Sequence, residues 1–265
     1  MNTLISFSGG RTSAMMLKTM IDHYGGCLPE HVKVCFTNTG KEHPATLEFV
    51  RDCANFFHCE ITWLEWHPAE KNDNRWKTVD FQTASRNGEP FAALVKHRRY
   101  LPNPVTRFCT QELKIHPMTC YARQVLGWDT WQVAIGFRAD EPRRMAKLRQ
   151  QKAGFERFAP LAEMGITKED VATFWRHQPF DLRLPNLNGT TAHGNCDLCF
   201  LKGIRKRAAL IAENPQSADW WSEQEHLIGA TFCKNLPDYQ TLKIIAISQQ
   251  DLFDQDDRQD CFCTD

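Results

Sequence analysis

Apolar and polar residues alternate with two different periods along the first 178 residues of the chain. Short apolar runs, rich in β-branched and aromatic residues, have the length of buried strands at 3–8, 32–39, 59–66, 130–137 and 155–160. Apolar residues recur at helical spacing at 12–24, 43–58, 111–126 and 167–176. Alternating strands and helices predict right-handed βαβ units, hence a doubly wound parallel sheet of the α/β class with helices on both faces.

Two segments differ from this pattern. Residues 68–104 are polar, broken and basic, and we interpret them as an insertion or a lid outside the sheet. From residue 179 the chain is rich in loops and cysteine. The predicted organisation is therefore an α/β unit over 1–178 and a small cysteine-bearing region over 179–265.

Composition narrows the possible partners and the compartment. Of the 265 residues, 42% are hydrophobic, and 32 Lys and Arg balance 32 Asp and Glu, so no global charge favours nucleic acid or a membrane surface. No apolar run approaches the roughly 20 residues of a spanning helix, and the first residues lack a basic leader. We expect a soluble, cytoplasmic protein, in which eleven cysteines favour metal or redox chemistry over disulfides. The sequence does not predict the oligomeric state.

The turn after the first predicted strand has the features of an anion site. Adjacent glycines let backbone amides converge on an anion, and the following helix adds the positive end of its dipole. Hydroxyl groups and one guanidinium accompany these amides. The candidate ligands of a nucleotide phosphate are Ser6, Ser8, Gly9, Gly10, Arg11, Thr12 and Ser13.

The segment SFSGGRTS resembles the PP-loop, SGGxDS, of the adenine nucleotide α-hydrolase superfamily. Three further segments, 36–50, 136–144 and 160–175, resemble its phosphoadenosine phosphosulfate (PAPS) reductase branch in sequence, order and spacing. The resemblance implies an adenine nucleotide α-hydrolase-like fold that binds ATP or a sulfonucleotide, either PAPS or adenosine phosphosulfate (APS). It also implies nucleotide contacts from Thr39, Gly40, Gly136, Arg138 and Arg144.

Within the PP-loop and the segment 136–144, the chain departs from the family pattern at three positions. Arg11 stands where lysine is common, and Thr12 replaces the aspartate of many ATP-cleaving members. Pro142 occupies a position that is often serine. The missing aspartate weakens the case for Mg²⁺-assisted cleavage of ATP, so Mg²⁺ is only an optional cofactor.

The cysteine pattern points to a metal or redox site. Cys196 and Cys199 form a CxxC motif that fits zinc, a redox dithiol or an iron–sulfur cluster. Residues 107–117, RFCTQELKIHP, resemble the element that supplies cluster thiolates in iron–sulfur PAPS and APS reductases and in DNA-phosphorothioation sulfurtransferases. In this chain the cysteine of that element is Cys109. The resemblance implies a [4Fe–4S] cluster, with zinc as the alternative. Its fourth ligand is Cys263 or Cys261, or one iron stays open for substrate or sulfide.

The last residues offer a second role for the same thiols. Asp260-Cys261 is a faint echo of the nucleophilic E-C-G-x-H tail of sulfonucleotide reductases, so Cys261 and Cys263 are candidate nucleophiles if they are not cluster ligands. A nearby basic surface would lower their pKa and could also attract a polyanionic substrate. Its candidates are Lys202, Arg205, Lys206 and Arg207. We interpret six other cysteines as small apolar core residues: Cys27, Cys35, Cys53, Cys59, Cys120 and Cys233.

Three functions fit these features. The first is ATP-linked sulfur transfer, in which ATP activates a nucleic acid or a metabolite as an adenylate before sulfur is delivered. The second is thiol-dependent reduction of PAPS or APS to sulfite. The third is a non-catalytic nucleotide-binding protein with a structural zinc.

Overall fold

The computed structural model of the protein describes residues 1–150, 155–187 and 190–248. Six strands form one sheet in the spatial order β4-β3-β2-β1-β5-β6. They are β1 (Thr3–Phe7), β2 (Val32–Asn38), β3 (Ile61–Trp66), β4 (Trp76–Val79), β5 (Gln132–Ile135) and β6 (Glu156–Phe158). All neighbouring pairs are parallel except β3 and β4. The predicted α/β fold with a largely parallel, doubly wound sheet is confirmed.

Helices flank the sheet and build the region that follows it. Those of the first 178 residues are α1 (Arg11–His23), α2 (Pro44–Phe56), α3 (Glu89–Arg98), α4 (Phe108–Thr110), α5 (His116–Gln124), α6 (Pro142–Gln150), α7 (Pro160–Glu163) and α8 (Lys168–Arg176). A π-helical turn, Gln111–Ile115, joins α4 to α5. A short hairpin of β7 (Asn186–Leu187) and β8 (Thr190–Thr191) follows, then α9 (Ile204–Glu213), α10 (Ser217–Ile228) and α11 (Tyr239–Ser248). In the described ranges, no helix is both long and apolar enough to cross a membrane.

The order of the strands fixes where a ligand can bind. The chain places β2 and β3 on one side of β1 and β5 and β6 on the other. The strand order therefore reverses between β1 and β5. In open α/β sheets, ligands bind outside the carboxyl ends of the strands at such a switch point.

Both faces of the sheet are buried, as the doubly wound arrangement requires. Ile5, Val34 and Phe36 face a first core that also includes residues of α1, α2 and α8. Leu4 and Cys35, one position away in sequence, face the opposite core with residues of α5. Side chains alternate between the two faces of a strand, which explains the continuous apolar runs of the sequence.

The interpretation of 68–104 as lying outside the sheet is wrong for its central part. Residues 76–79 form β4, which pairs antiparallel with β3 and extends the sheet. Lys77 and Thr78 are exposed, whereas Trp76 packs edge-on against Tyr121 at a ring distance of 6.1 Å. An edge strand with polar, exposed positions carries too weak an apolar signal to be recognised from the sequence.

The C-terminal part of that segment belongs to a second core. Phe91, Leu94 and Val95 of α3 are buried together with Leu113 and with side chains of 196–246. The segment 89–113 and the C-terminal region therefore share one apolar core. Leu182 and Leu184 pack into the first core, so that core extends beyond the predicted boundary at residue 178.

Arg11 fastens the segment after residue 178 to the first helix. Its guanidinium donates to both oxygens of Asp181 at 2.7 and 2.8 Å and to the Thr191 hydroxyl at 3.0 Å. It also donates to the carbonyl groups of Leu182 and Leu184. Because an arginine side chain presents five N–H donors in a rigid fork, one residue can hold several chain segments in place.

We expect Asp181→Ala to lower the free energy of unfolding by about 2 kcal/mol, because it removes two charged hydrogen bonds from the buried Arg11. Asp22→Ala is the matched control, since Asp22 pairs with Lys18 on the same helix but is exposed. Its expected effect is below about 0.5 kcal/mol. Equal losses for the two variants in urea unfolding would contradict a stabilising role for the Arg11 network.

Candidate functional site

The turn between β1 and α1 has the conformation that an anion site requires. Gly9 has a φ of +78°, and a Cβ there would lie 2.7 Å from Cγ2 of Thr46. Any side chain at Gly9 would therefore be strained and would collide with α2. Gly10 is the N-cap of α1 and offers no side chain to accept from the first amides of the helix. Those amides and the helix dipole point toward the space beyond the turn.

Hydroxyl groups inside the turn fix its shape. The Ser13 hydroxyl donates to the Gly10 carbonyl at 2.9 Å and accepts from the Ser8 amide at 3.3 Å. The Ser8 and Ser13 hydroxyl oxygens are 3.0 Å apart. Ser13 is fully buried and braces the turn from within, whereas Ser6 and Ser8 line the adjacent cavity.

The loop after β5 approaches the same turn. A Cβ on Gly136 would lie 3.0 Å from Cα of Ser13, so only glycine permits this close approach without a shift of the backbone. Arg138 donates from Nη1 to the Thr12 hydroxyl at 3.3 Å. Glu141 accepts from the Arg138 amide and pairs with Arg144. The structure thus brings Gly136 and Arg138 to the turn, and Glu141 of the same loop holds Arg144 in the first turn of α6.

Arg11 has a different environment from the other candidate phosphate ligands. It is buried, and its guanidinium contacts the chain after residue 178 rather than the space beyond the turn. Its predicted contact with an anion stays a prediction. The contacts that the structure gives favour a structural role, so the donors that this turn offers to an anion are chiefly backbone amides and hydroxyl groups.

The loop after β2 connects the turn between β1 and α1, hereafter the glycine turn, with the cysteines. Glu42 accepts from the Thr39 amide at 2.9 Å and from the Thr39 hydroxyl at 2.8 Å. The Thr39 oxygen lies 3.4 Å from Sγ of Cys196. Burial raises the pKa of the Glu42 carboxyl, while the charge of Lys114 and the hydrogen bonds from Thr39 oppose the rise. Thr39 therefore contacts the CxxC motif directly.

Asp197, inside the CxxC motif, holds that motif in place. Its amide donates to the Lys41 carbonyl at 2.8 Å, and its carboxylate pairs with Lys41 Nζ at 2.9 Å. The Trp221 indole donates to the same carboxylate at 2.8 Å. Cys196 also forms an isolated antiparallel bridge with Glu42. These contacts dock the CxxC turn at the carboxyl end of β2, next to the glycine turn.

Cys109 packs against the same core as the CxxC cysteines. That second core contains Cys196 and Cys199, and Cys109 lies half-buried at its margin. Within the described ranges, no group of three His, Cys, Asp or Glu side chains converges on one point to hold a single metal ion. Cys261 and Cys263 lie outside the described residues.

Two cations are buried in the region that carries the CxxC thiols. Lys202 donates to the carbonyl groups of Ala192 and Asp197 at 2.9 and 2.7 Å. Burial lowers the pKa of Lys202, while the thiols of Cys199 and Cys196 raise it. Arg207 is 1% exposed, and its guanidinium lies against the Cys233 thiol and the Tyr239 hydroxyl rather than against the CxxC pair.

The predicted basic surface is therefore wrong for two of its four members. Lys202 and Arg207 are buried, and only Arg205 and Lys206 are partly accessible. The sequence shows a basic run, but it does not show that the run lies partly inside the core. Helical spacing turns Arg207 toward the same side as the apolar residues Ala208 and Ile211.

A cavity of about 140 Å³ connects the glycine turn to α4, the helix that carries Cys109. Its walls include Ser6, Ser8, Thr37, Thr110, Lys114, Met118, Trp131, Phe137, Phe155 and Arg157. The rings of Trp131 and Phe155 stack with a centroid distance of 5.3 Å. Sequence reasoning missed these two aromatic residues and Arg157, because each lies at the beginning of a strand and no local motif marks it.

The other cysteines divide between the core and the surface. Cys35, Cys53, Cys120 and Cys233 are buried as predicted, and the nine cysteines of the described ranges are free thiols. Burial raises the pKa of Cys59 and of Cys120 to about 11. Cys27 is exposed, so the prediction of a core position is wrong for it. It follows a pair of glycines beyond the end of α1, where the chain turns on the surface.

Comparisons with known proteins agree with this geometry. The sequence profile of the "Phosphoadenosine phosphosulfate reductase domain" matches residues 2–182. The chain is also 35% identical over 212 residues to the "Uncharacterized nin region protein ORF290" of Escherichia phage lambda, a match that covers 78% of this chain and 68% of that protein. The profile covers the sheet, the glycine turn and the loop with Arg138. The chain therefore belongs to the phosphoadenosine phosphosulfate reductase domain family.

Proposed function

We propose that this protein is an enzyme of sulfur metabolism that binds an adenine nucleotide at the Ser8–Ser13 turn and handles sulfur at Cys109, Cys196 and Cys199. One observation carries the proposal. The cavity lined by Ser6 and Ser8 is also lined by Lys114 and by Thr110, the residue after Cys109. A nucleotide whose phosphates lie on the turn would thus extend toward the cysteines.

The walls of the cavity suit the parts of a nucleotide. The stacked rings of Trp131 and Phe155 offer an apolar surface for a base. Lys114 and Arg157 supply positive charge for phosphate or sulfate oxygens, and the amides of α1 add donors at the switch point of the sheet. ATP, PAPS and APS share this chemistry.

For the sulfur site we propose an iron–sulfur cluster rather than a single zinc ion. Zinc needs four donors that converge on one point, whereas each thiolate of a [4Fe–4S] cluster binds a different iron. Cys109, Cys196 and Cys199 would hold three irons, and the buried charges of Lys202 and Arg207 would offset the negative charge of the thiolates. A bound cluster would supply electron transfer or an open iron that carries sulfur.

ATP-linked sulfur transfer is the first candidate reaction. The acceptor oxygen attacks the α-phosphorus of ATP, pyrophosphate leaves, and the acceptor becomes an adenylate. Sulfide then displaces AMP and leaves a thio-modified nucleic acid or metabolite. The amides at Gly9 and Gly10 would bind the departing pyrophosphate, and Arg138, next to Thr12, would stabilise charge on the phosphorus oxygens.

Reduction of a sulfonucleotide is the second candidate, and the family match favours it. A thiolate of this chain attacks the sulfur of PAPS or APS, which forms an S-sulfonate and releases the adenosine phosphate. A second thiol, from a dithiol reductant, then forms a disulfide and releases sulfite. The candidate nucleophiles Cys261 and Cys263 remain predictions.

We expect Gly9→Ala to weaken binding of ATP or APS at least about tenfold, because the new methyl group meets Thr46 and distorts the turn. Isothermal titration calorimetry measures the affinity. Gly25→Ala is the matched control, since Gly25 has a φ of +77° and open space around its Cβ position. If both variants bind nucleotide as the unchanged protein does, the turn is not the nucleotide site.

The products distinguish the two reactions. Anaerobically purified protein is incubated with ATP, sulfide and a candidate acceptor, or with PAPS or APS and a dithiol. Release of pyrophosphate that depends on the acceptor supports sulfur transfer, and release of sulfite supports reduction. We expect Cys199→Ser to lower either rate at least about 100-fold, because the sulfur site loses a thiolate.

The metal content tests the third possibility. Stoichiometric zinc without iron or acid-labile sulfide, together with neither product, would leave the protein as a nucleotide-binding protein with structural zinc. Iron and sulfide in equal amounts, in contrast, support the proposed cluster.

A further inference from the structure

Positive charge is concentrated in one short segment of the chain. Overall, Lys and Arg balance Asp and Glu at 32 each. Between residues 90 and 111, however, four Lys and Arg occur without a single Asp or Glu. They are Lys96, Arg98 and Arg99, which are exposed, and Arg107, which is half-buried. The end of α3 and the loop that follows it therefore form a local basic surface, which we name the 96–107 surface.

The 96–107 surface packs on the turn that carries Cys109. Arg98 pairs with Glu112 of the π-helical turn, and its guanidinium carbon lies 5.7 Å from the centre of the Phe108 ring. The centre of the Tyr100 ring lies 6.1 Å from that of the same Phe108 ring. Phe108 precedes Cys109, and both pack at the margin of the second core. A ligand on this surface would therefore lie close to one of the proposed sulfur-handling cysteines.

The loop of this surface holds an aromatic ring and an apolar side chain in solvent. The side-chain oxygen of Asn103 accepts from the amides of Val105 and Thr106 at 3.0 and 2.8 Å. Its side-chain nitrogen donates to the Tyr100 hydroxyl at 2.6 Å. Val105 is 93% exposed and Tyr100 is 47% exposed. Because hydrogen bonds already order the loop, a planar apolar group such as a nucleobase could bind it at a low entropic cost.

Arg99 ends α3 in a backbone conformation that arginine rarely adopts. Its φ is +51°, in the left-handed region, and its amide donates to the Val95 carbonyl at 2.8 Å. Glycine or asparagine is the usual residue at such a helix end. The Arg99 side chain is exposed, so burial does not compensate the strain of its backbone. A strained position that keeps an exposed charge favours a use for that charge in binding.

We propose that the 96–107 surface docks a single strand of nucleic acid. Its phosphates would contact the exposed cations, and one base would stack on Tyr100. An acidic protein would also be attracted by the charge, but it lacks regularly spaced anions with planar groups between them. The inference deepens the proposed function, because this strand would be the acceptor in ATP-linked sulfur transfer. For that role, though not for binding itself, it rests on the proposed function.

Fluorescence anisotropy of labelled oligonucleotides with the full chain tests the docking. The probes are a DNA strand and an RNA strand of about 20 nucleotides and the matching DNA duplex. We expect at least one of the two strands to bind more tightly than the duplex, because only an unpaired base can stack on Tyr100. Added salt should weaken the binding, since phosphate contacts release counterions.

Arg99→Asn removes one charge from the surface and suits the left-handed backbone. We expect it to weaken strand binding at least about threefold and to reduce the slope of log affinity against log salt by about 0.7. Its melting temperature should not fall, since asparagine tolerates this φ. Arg176→Asn is the matched control, because Arg176 is exposed at the end of α8, a helix that packs on the first core.

Two replacements of Tyr100 separate its ring from its hydroxyl group. Tyr100→Phe should keep most of the affinity, because the ring that stacks on a base remains. Tyr100→Leu should lower the affinity for a strand at least about fivefold and leave the affinity for the duplex unchanged. A merely structural role of the Tyr100–Asn103 hydrogen bond would instead give equal losses in the two variants.

The outcomes separate this surface from the proposed function. Strand binding that is no tighter than duplex binding, or that persists unchanged in both Arg99→Asn and Tyr100→Leu, would overturn the surface. Binding to vesicles that contain phosphatidylserine, without binding to either strand, would overturn it in favour of a membrane contact. Release of pyrophosphate with a metabolite as acceptor and no strand binding would overturn the surface alone. Strand binding that fails to promote release of pyrophosphate from ATP would support the surface and contradict sulfur transfer to the strand.

Discussion

The docking of the CxxC turn onto the loop after β2 is the interaction on which the candidate site depends. Asp197 receives Lys41 and the Trp221 indole on its carboxylate, while its amide binds the Lys41 carbonyl. Its partners come from the loop after β2 and from α10. A single carboxylate, whose side chain is 26% exposed, therefore connects the part of the chain that carries the glycine turn with the part that carries the CxxC thiols. This contact helps to fix the distance between the two halves of the proposed chemistry.

Charge is distributed over this site in an uneven way. The glycine turn relies on amides and hydroxyl groups, and its one arginine, Arg11, binds Asp181. Near the thiols, Lys202 and Arg207 are buried instead, where desolvation disfavours a charge. Fixed dipoles thus serve the glycine turn, whereas full positive charges are buried in the region that carries the cysteines.

Much of the fold follows from the sequence, because its strands are short continuous apolar runs and its helices have one apolar face. The boundaries of β1, β2 and α8 deviate from the prediction by one residue or less at each end, and α8 begins with a capping box of Thr167 and Asp170. The edge strand β4 could not be predicted, since Lys77 and Thr78 face solvent and give no period. Its pairing depends on a partner strand that the local sequence does not reveal.

The site was predictable where a motif brings its residues together and unpredictable where only tertiary packing does. The glycine turn, Arg138 and the CxxC motif are local patterns with a chemical meaning. The burial of Lys202 and Arg207 is not such a pattern, since a lysine and an arginine in a basic run are ordinarily explained as a solvated surface. Their burial is a property of the folded chain, which spacing along the sequence cannot show.

The second core has a consequence for any attempt to divide the chain. Trp66, Phe91 and Leu113 precede residue 178, yet the side chains that cover them come from 196–246. A fragment that ends near residue 178 would expose this apolar face to water as a continuous patch, and such patches promote aggregation. The half of the chain that carries the glycine turn is therefore not an independent module that could be exchanged or expressed by itself, and fusion partners should be attached outside both cores.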